Sequence, residues 1–213
     1  NTFKETAMAR KLLGGMLALT LLAGAASTSA AQETGTPIFK APNRAFENHE
    51  FGASISDPGE GAGAAVEGFY RYGSGPYDFS IRAGIEDFNG PGTGVLLGGD
   101  FRTQVIHYSE SFPLDAALTL GLGGVVGSAV DDFFLLPVGI SLGRTFELEN
   151  SSTIFVPYVQ PVIAPVFGGA GDDDVLFALG LGVDIKFSDH WAVRASGGLG
   201  DIEGVGVSIA YLR

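Results

Sequence analysis

Between Tyr77 and Phe88 the chain alternates strictly. Tyr77, Phe79, Ile81, Ala83 and Ile85 take one parity, and Asp78, Ser80, Arg82, Gly84 and Glu86 take the other. Successive side chains of a strand point to opposite faces, so this segment predicts a strand with one oily and one charged face. Val175 to Phe187 repeats the pattern, with Ala178, Gly180, Gly182, Asp184 and Lys186 on the polar or small side. Val205, Val207, Ile209 and Tyr211 repeat it once more against Gly206, Ser208 and Ala210. Turn signals and alternation predict ten strands, over 49–56, 63–72, 77–88, 94–107, 115–127, 133–146, 153–167, 175–187, 190–199 and 204–212. Fusing or losing one hairpin would leave eight. Most approach the roughly 9–11 residues of a tilted membrane strand.

No helical pattern remains to cover the oily faces. Lipid can cover them if the sheet closes around its polar side. The expected fold is therefore all-β: a closed antiparallel up-and-down transmembrane β-barrel. Two segments depart from the alternation. Ala117 to Gly127 is apolar or Gly on both parities apart from Thr119. The segment 153–167 carries Pro157, Pro161 and Pro165, each without a ladder donor and all of one parity, so a bend or weak pairing is expected there.

A charge facing lipid at mid-depth costs about 2–4 kcal/mol for Arg or Lys, so strand charges should point inward. The candidate lumen charges are Glu67, Arg71, Asp78, Arg82, Asp100, Arg102, Asp184, Lys186 and Arg194. Acids and bases nearly balance, which predicts ion pairing inside a lumen that side chains and some water fill.

The connections form two unlike sets. The set at 73–76, 108–114, 147–152 and 188–189 is flanked by Tyr72, Tyr77, Tyr108, Phe187 and Trp191, with Tyr211 at the same level. Aromatic rings recurring at one end predict an interfacial girdle, here on the periplasmic side. The set at 57–62, 86–94, 128–132, 168–174 and 200–203 holds 11 of the 24 Asp and Glu and none of the 12 Lys and Arg. It predicts an acidic outer rim. Asp131, Asp132, Asp172, Asp173 and Asp174 are its candidate cation-binding groups, with divalent cations as a partner, although the spacing lacks that of a defined calcium loop.

Ahead of the strands, Arg10-Lys11, the apolar run Leu12 to Ala26 and the small residues up to Ala31 form the tripartite pattern of a cleaved secretory signal. Met8 reads as the natural start. This divides the chain into 1–31 (upstream residues and signal), a polar periplasmic tail over 32–48, and a barrel over 49–213.

Composition narrows the function. A net charge of −12 argues against nucleic acid as a partner, and zero Cys excludes disulfides and thiolate metal sites. Mean hydropathy is +0.27 with 33 Gly, yet past the signal no run reaches the roughly 20 apolar residues of a membrane helix. The sequence contains no phosphate loop, nucleophile elbow or zinc-protease helix motif, and no cofactor or metal is implied. His107-Tyr108-Ser109, followed by Glu110, is similar in spacing to the His and Ser of outer-membrane lipid A deacylases. A base beside a Ser is what nucleophilic attack requires. These three residues fall at the expected periplasmic girdle, however, away from outer-leaflet substrate.

Three stretches carry a wider resemblance: Pro157-Tyr158-Val159 opening a strand, the turn Phe187-Ser188-Asp189-His190-Trp191-Ala192-Val193-Arg194, and the closing Gly204-Val205-Gly206-Val207-Ser208-Ile209-Ala210-Tyr211. Through them residues 49–213 resemble the small Gram-negative outer-membrane barrels of the OmpX, OmpW and opacity kind. Such families usually end in Phe or Trp, whereas this sequence reads Tyr211-Leu212-Arg213. The resemblance implies a bacterial outer-membrane location. It also implies the bilayer, lipopolysaccharide and the barrel-assembly machinery as partners, and a non-enzymatic structural or surface-interaction role. The alternatives are a narrow, porin-like, cation-preferring pore and a lipid A deacylase-like enzyme.

Overall fold

A computed structural model describes residues 39–58, 62–88, 92–127, 133–149, 151–168 and 174–213. The expected signal region, residues 32–38 of the tail, and Asp131, Asp132, Asp172 and Asp173 lie outside the described residues. Those described contain only strands: β1 (His49–Asp57), β2 (Ala62–Ser74), β3 (Tyr77–Phe88), β4 (Gly92–Ile106), β5 (Asp115–Val126), β6 (Phe133–Leu135), β7 (Val138–Gly143), β8 (Phe146–Glu147), β9 (Ile154–Gly168), β10 (Asp174–Ser188), β11 (Trp191–Gly200) and β12 (Val205–Leu212). All pairings are antiparallel, and successive strands pair except β6, β7 and β8, which do not pair with one another.

The sheet closes on itself. β1 pairs β12, with Phe51 opposite Tyr211 and Ile55 opposite Val207. β6, β7 and β8 lie end to end along β9, with β6 and β7 also paired to β5, and act as one stave, so the closed barrel has ten staves. Closure removes every sheet edge, which a bilayer demands because it cannot hydrogen-bond a bare edge.

The prolines explain why the sixth stave is broken. Leu135 pairs Val166, Val138 pairs Ile163, Gly143 pairs Tyr158, and Phe146 pairs Phe155. Continuing this constant register sets Leu136, Ile140 and Arg144 opposite Pro165, Pro161 and Pro157. Leu136 and Arg144 still donate to the Pro165 and Pro157 carbonyls, at 3.0 and 3.3 Å. The prolines return no N–H, so the ladder lapses at those steps while the register holds. The expected weak pairing is thus on the β6–β8 side of β9. On its other side β9 keeps an unbroken register with β10 from Ile154 to Val166.

Burial separates the two faces. Phe51, Ile55, Phe79, Leu97 and Phe177 are exposed on the outer wall, as are Ile81 at 66% and Ile85 at 58%. Such a belt of large apolar groups needs a non-aqueous neighbour. The inner wall of β5 resolves the other departure from alternation. Val125 is fully buried beside Ala65 and Leu96, with Val166 packed against them. An apolar inner patch there lets both parities of β5 be oily.

The tail expected over 32–48 takes a different course from Phe39 onward. Phe39, Lys40, Ala41 and Phe46 are all buried, and the segment runs inside the barrel. Asn48 accepts from Gly73 N at 2.8 Å at the end where β1 begins. From there, read backwards, the chain climbs the lumen. That end is called the entry end below, and the opposite one, where β1 finishes at Asp57, the far end.

Candidate functional site: the occupied lumen

The lumen is a polar socket built around the segment Phe39–Phe46. Its deepest anchor is Lys40. The Lys40 peptide N–H donates to Gln160 Oε1 on β9 at 2.7 Å, and Gln160 Nε2 donates to Thr119 on β5 at 2.9 Å. Ser141 Oγ on β7 donates to the Lys40 carbonyl. The Lys40 ammonium pairs with Asp100, which Ser80 and Arg82 also approach. One residue of the segment thus engages three staves directly, through β4, β7 and β9, and two more, β3 and β5, through its partners.

Below Lys40, Arg102 on β4 donates from Nη1 to the Ala41 carbonyl and, at 3.1 Å, to the Asn43 carbonyl. Its Nε pairs with Asp78 at 2.7 Å, which fixes the guanidinium. Asn43 donates to Asp115 and Thr145, each at 2.8 Å, and accepts from Gln104 at 2.8 Å. Arg44 donates to the Tyr77 carbonyl at 3.0 Å at the entry end. Phe46 packs on Ala192, Ala210 and Leu212. A second ion network spans the opposite wall. Arg194 joins Glu50 at 2.5 Å and Asp184 at 2.9 Å, and Arg71 reaches Glu50 at 3.4 Å. Glu67 meets Arg82 at 3.7 Å.

Glycines in the wall make the room. A Cβ on Gly180 would collide with the Phe39 ring, and one on Gly182 with the Tyr158 ring. A Cβ on Gly143 would stand 2.9 Å from Pro42 Cδ. Phe39 then sits in an apolar cluster with Val162, Ala164, Ala178 and Ile202. What remains empty is a cavity of about 50 Å³ between Phe39, Lys40 and Arg194, with room for a few waters, and a polar vestibule of about 460 Å³ at the entry end.

Eight of the nine candidate lumen charges belong to these networks: Glu67, Arg71, Asp78, Arg82, Asp100, Arg102, Asp184 and Arg194. Lys186 shares the inner face of β10 and is half-buried. Among the described residues, four buried charges in the lumen lie outside that set. Glu50 and Glu86 are fully buried, and Lys40 and Asp115 nearly so. Glu86 was expected at the outer rim. It is instead inside, because Arg82, Gly84 and Glu86 share one parity of β3. Parity alone could have placed it. Lys40 carried no such signal, since its segment does not alternate.

Tyr72, Tyr77, Tyr108, Phe187, Trp191 and Tyr211 are all exposed near the entry end, where Trp191 and Tyr211 meet edge-on at 5.4 Å. Among the described acids of the far end, Asp57, Asp87 and Asp174 are exposed. Ser109 Oγ lies 3.1 Å from Ser111 Oγ and accepts from Phe112 N at 3.2 Å, so this hydroxyl is engaged in its own turn.

No protein-family model and no curated protein matches the chain. Solved structures do resemble it. The beta domain of the Bordetella autotransporter BrkA aligns with a TM-score of 0.50 at 14% identity, covering 77% of this chain and 98% of that one. The N-terminal β-barrel domain of Pseudomonas aeruginosa OprF aligns with a TM-score of 0.33 at 11% identity, covering 77% and 96%. The first likeness is one of fold: a closed β-barrel of this kind recurs in a protein that shares little of the sequence.

Proposed function

We propose that the protein is an integral outer-membrane barrel, sealed by its own N-terminal segment, with a structural or surface-interaction role and no enzymatic activity. The carrying observation is Lys40, whose peptide and ammonium groups are held by the inner wall at mid-lumen. A closed wall with an oily outside supports membrane insertion. The filled interior supports a sealed state rather than an open pore. The bilayer, lipopolysaccharide and the assembly machinery are its partners in this reading, with divalent cations at the acidic far end.

A narrow cation-preferring pore is the second reading. It is favoured by the exposed Asp87 and Asp174 and by the polar vestibule at the entry end. It requires the segment Phe39–Asn43 to leave the lumen.

Membrane fractionation with a heat-dependent gel shift tests the first reading. The folded protein should need detergent or lipid and run as a compact band until boiled. A protein soluble without detergent, with no shift, would contradict it.

A further inference from the structure

The wall groups that grip Phe39–Asn43 are held in place by the wall itself. Asp100, which takes the Lys40 ammonium, accepts from Ser80 Oγ. Gln160, which takes the Lys40 peptide N–H, is fixed by Thr119 at 2.9 Å. Arg102, which binds the Ala41 and Asn43 carbonyls, is fixed by Asp78 at 2.7 Å. Asp115, which takes the Asn43 amide, also accepts from Tyr108 N at 2.9 Å. None of these supports comes from the segment. Groups held by their own neighbours are preorganised for a ligand, whichever chain supplies it.

Successive positions of the segment meet different chemistry. The Phe39 ring fills an apolar pocket that Gly180 and Gly198 keep clear. Lys40 meets a carboxylate. Ala41 is buried, so its position selects a small side chain. Pro42 lies against Gly143. The Asn43 side chain both donates, to Asp115 and Thr145, and accepts, from Gln104, which reads a carboxamide. The fit is incomplete, because a cavity of about 50 Å³ remains between Phe39, Lys40 and Arg194. The polar vestibule at the entry end borders Pro42, Asn43 and Arg44 and gives a route in.

We propose that the lumen is a binding site for a short extended peptide, with Phe39–Asn43 as its built-in competitor. The ligand class is a peptide reading aromatic, Lys, small, Pro, Asn. The inference deepens the sealed-barrel reading and rests on it. A tethered occupant acts at an effective concentration of roughly millimolar order. A free peptide therefore takes the site when it binds more tightly or when the segment is weakened. The unfilled volume beside Phe39 and Lys40 is where a better ligand buries more of itself.

The test uses the full chain and a synthetic probe, acetyl-Phe-Lys-Ala-Pro-Asn-amide, titrated calorimetrically in detergent. The double variant Phe39→Ala/Lys40→Ala removes the two deepest side-chain anchors of the tethered segment, and the heat-dependent gel shift checks that it folds. It should bind the probe about tenfold or more tightly than the parent does. Replacing the probe's Lys by norleucine leaves Asp100 buried without its ammonium and should weaken binding about tenfold or more. Reversing the probe's sequence should abolish binding. If the double variant does not fold, Lys40→Met, which keeps an apolar stem, takes its place with the same expectations. A folded variant that ignores the probe overturns the proposal, as does one that binds the reversed probe equally well, and both results leave the sealed barrel standing. A parent that binds the probe as tightly as the variant has an open site, which overturns the sealed reading and the proposal with it.

Discussion

The peptide N–H of Lys40 donates to the side-chain oxygen of Gln160 at 2.7 Å, across 120 residues of sequence. A barrel wall is thereby tied to a segment it encloses. Because Gln160 is itself held by Thr119, the bond fixes the segment to two staves. Replacing Gln160 with Ala leaves the Lys40 N–H buried without a partner, which costs about 1–3 kcal/mol. Urea unfolding from lipid vesicles should show that loss. A Gln160→Ala protein as stable as the parent would mean the segment is not held there.

Gly180 and Phe39 compete for one volume. Gly180→Val should drive the ring from its pocket and lower the unfolding midpoint, since an overpacked site costs about 1–3 kcal/mol. Adding Phe39→Ala should recover much of the loss, a non-additive result expected of residues in contact. Full additivity in this double-mutant cycle would separate the two residues.

Much of this architecture was legible in the sequence, and the reasons differ by element. The Tyr77–Phe88 strand declared both its faces, because alternation reports a wall that is oily on one side and wet on the other. Ten staves followed from the turn signals. The occupant of the lumen did not follow. Phe39 to Phe46 contacts the wall through backbone groups and single side chains, and backbone recognition leaves no periodic trace. The apolar inner patch of Leu96 and Val125 showed only as the lapse of alternation over Ala117–Gly127, because inward positions were expected to be small or charged.

Arg194 stands between Glu50 and Asp184. Removing one partner of a buried ion pair costs about 3–5 kcal/mol, because the remaining charges stay desolvated. Arg194→Ala should therefore be among the most destabilising single changes in the barrel. Arg71 continues to neutralise Glu50 in part, so the lower end of that range is expected. An unfolding free energy unchanged by Arg194→Ala would show the lumen to be well hydrated.

Ile81 and Tyr77 sit on the same outer face at different depths. Ile81→Arg should cost about 2–4 kcal/mol in a bilayer, and Tyr77→Arg at the interface about 0–1. The same pair of substitutions measured in vesicles yields the depth profile directly. Equal effects at both positions would remove the membrane from the account.

Pro157 and Pro165 interrupt the ladder to the sixth stave without shifting its register. Pro157→Val supplies a donor facing Arg144. Hydrogen exchange should find the new amide protected, along with its neighbours in β8. Rapid exchange at position 157 would mean the break has another cause.

The central claim is a membrane barrel sealed by its own chain. Single-channel recording in planar bilayers tests it most directly, comparing the full chain with a variant lacking Phe39–Phe46. The account predicts a silent full-length protein and steady conductance steps from the variant. Equal, steady conductance from both would contradict it.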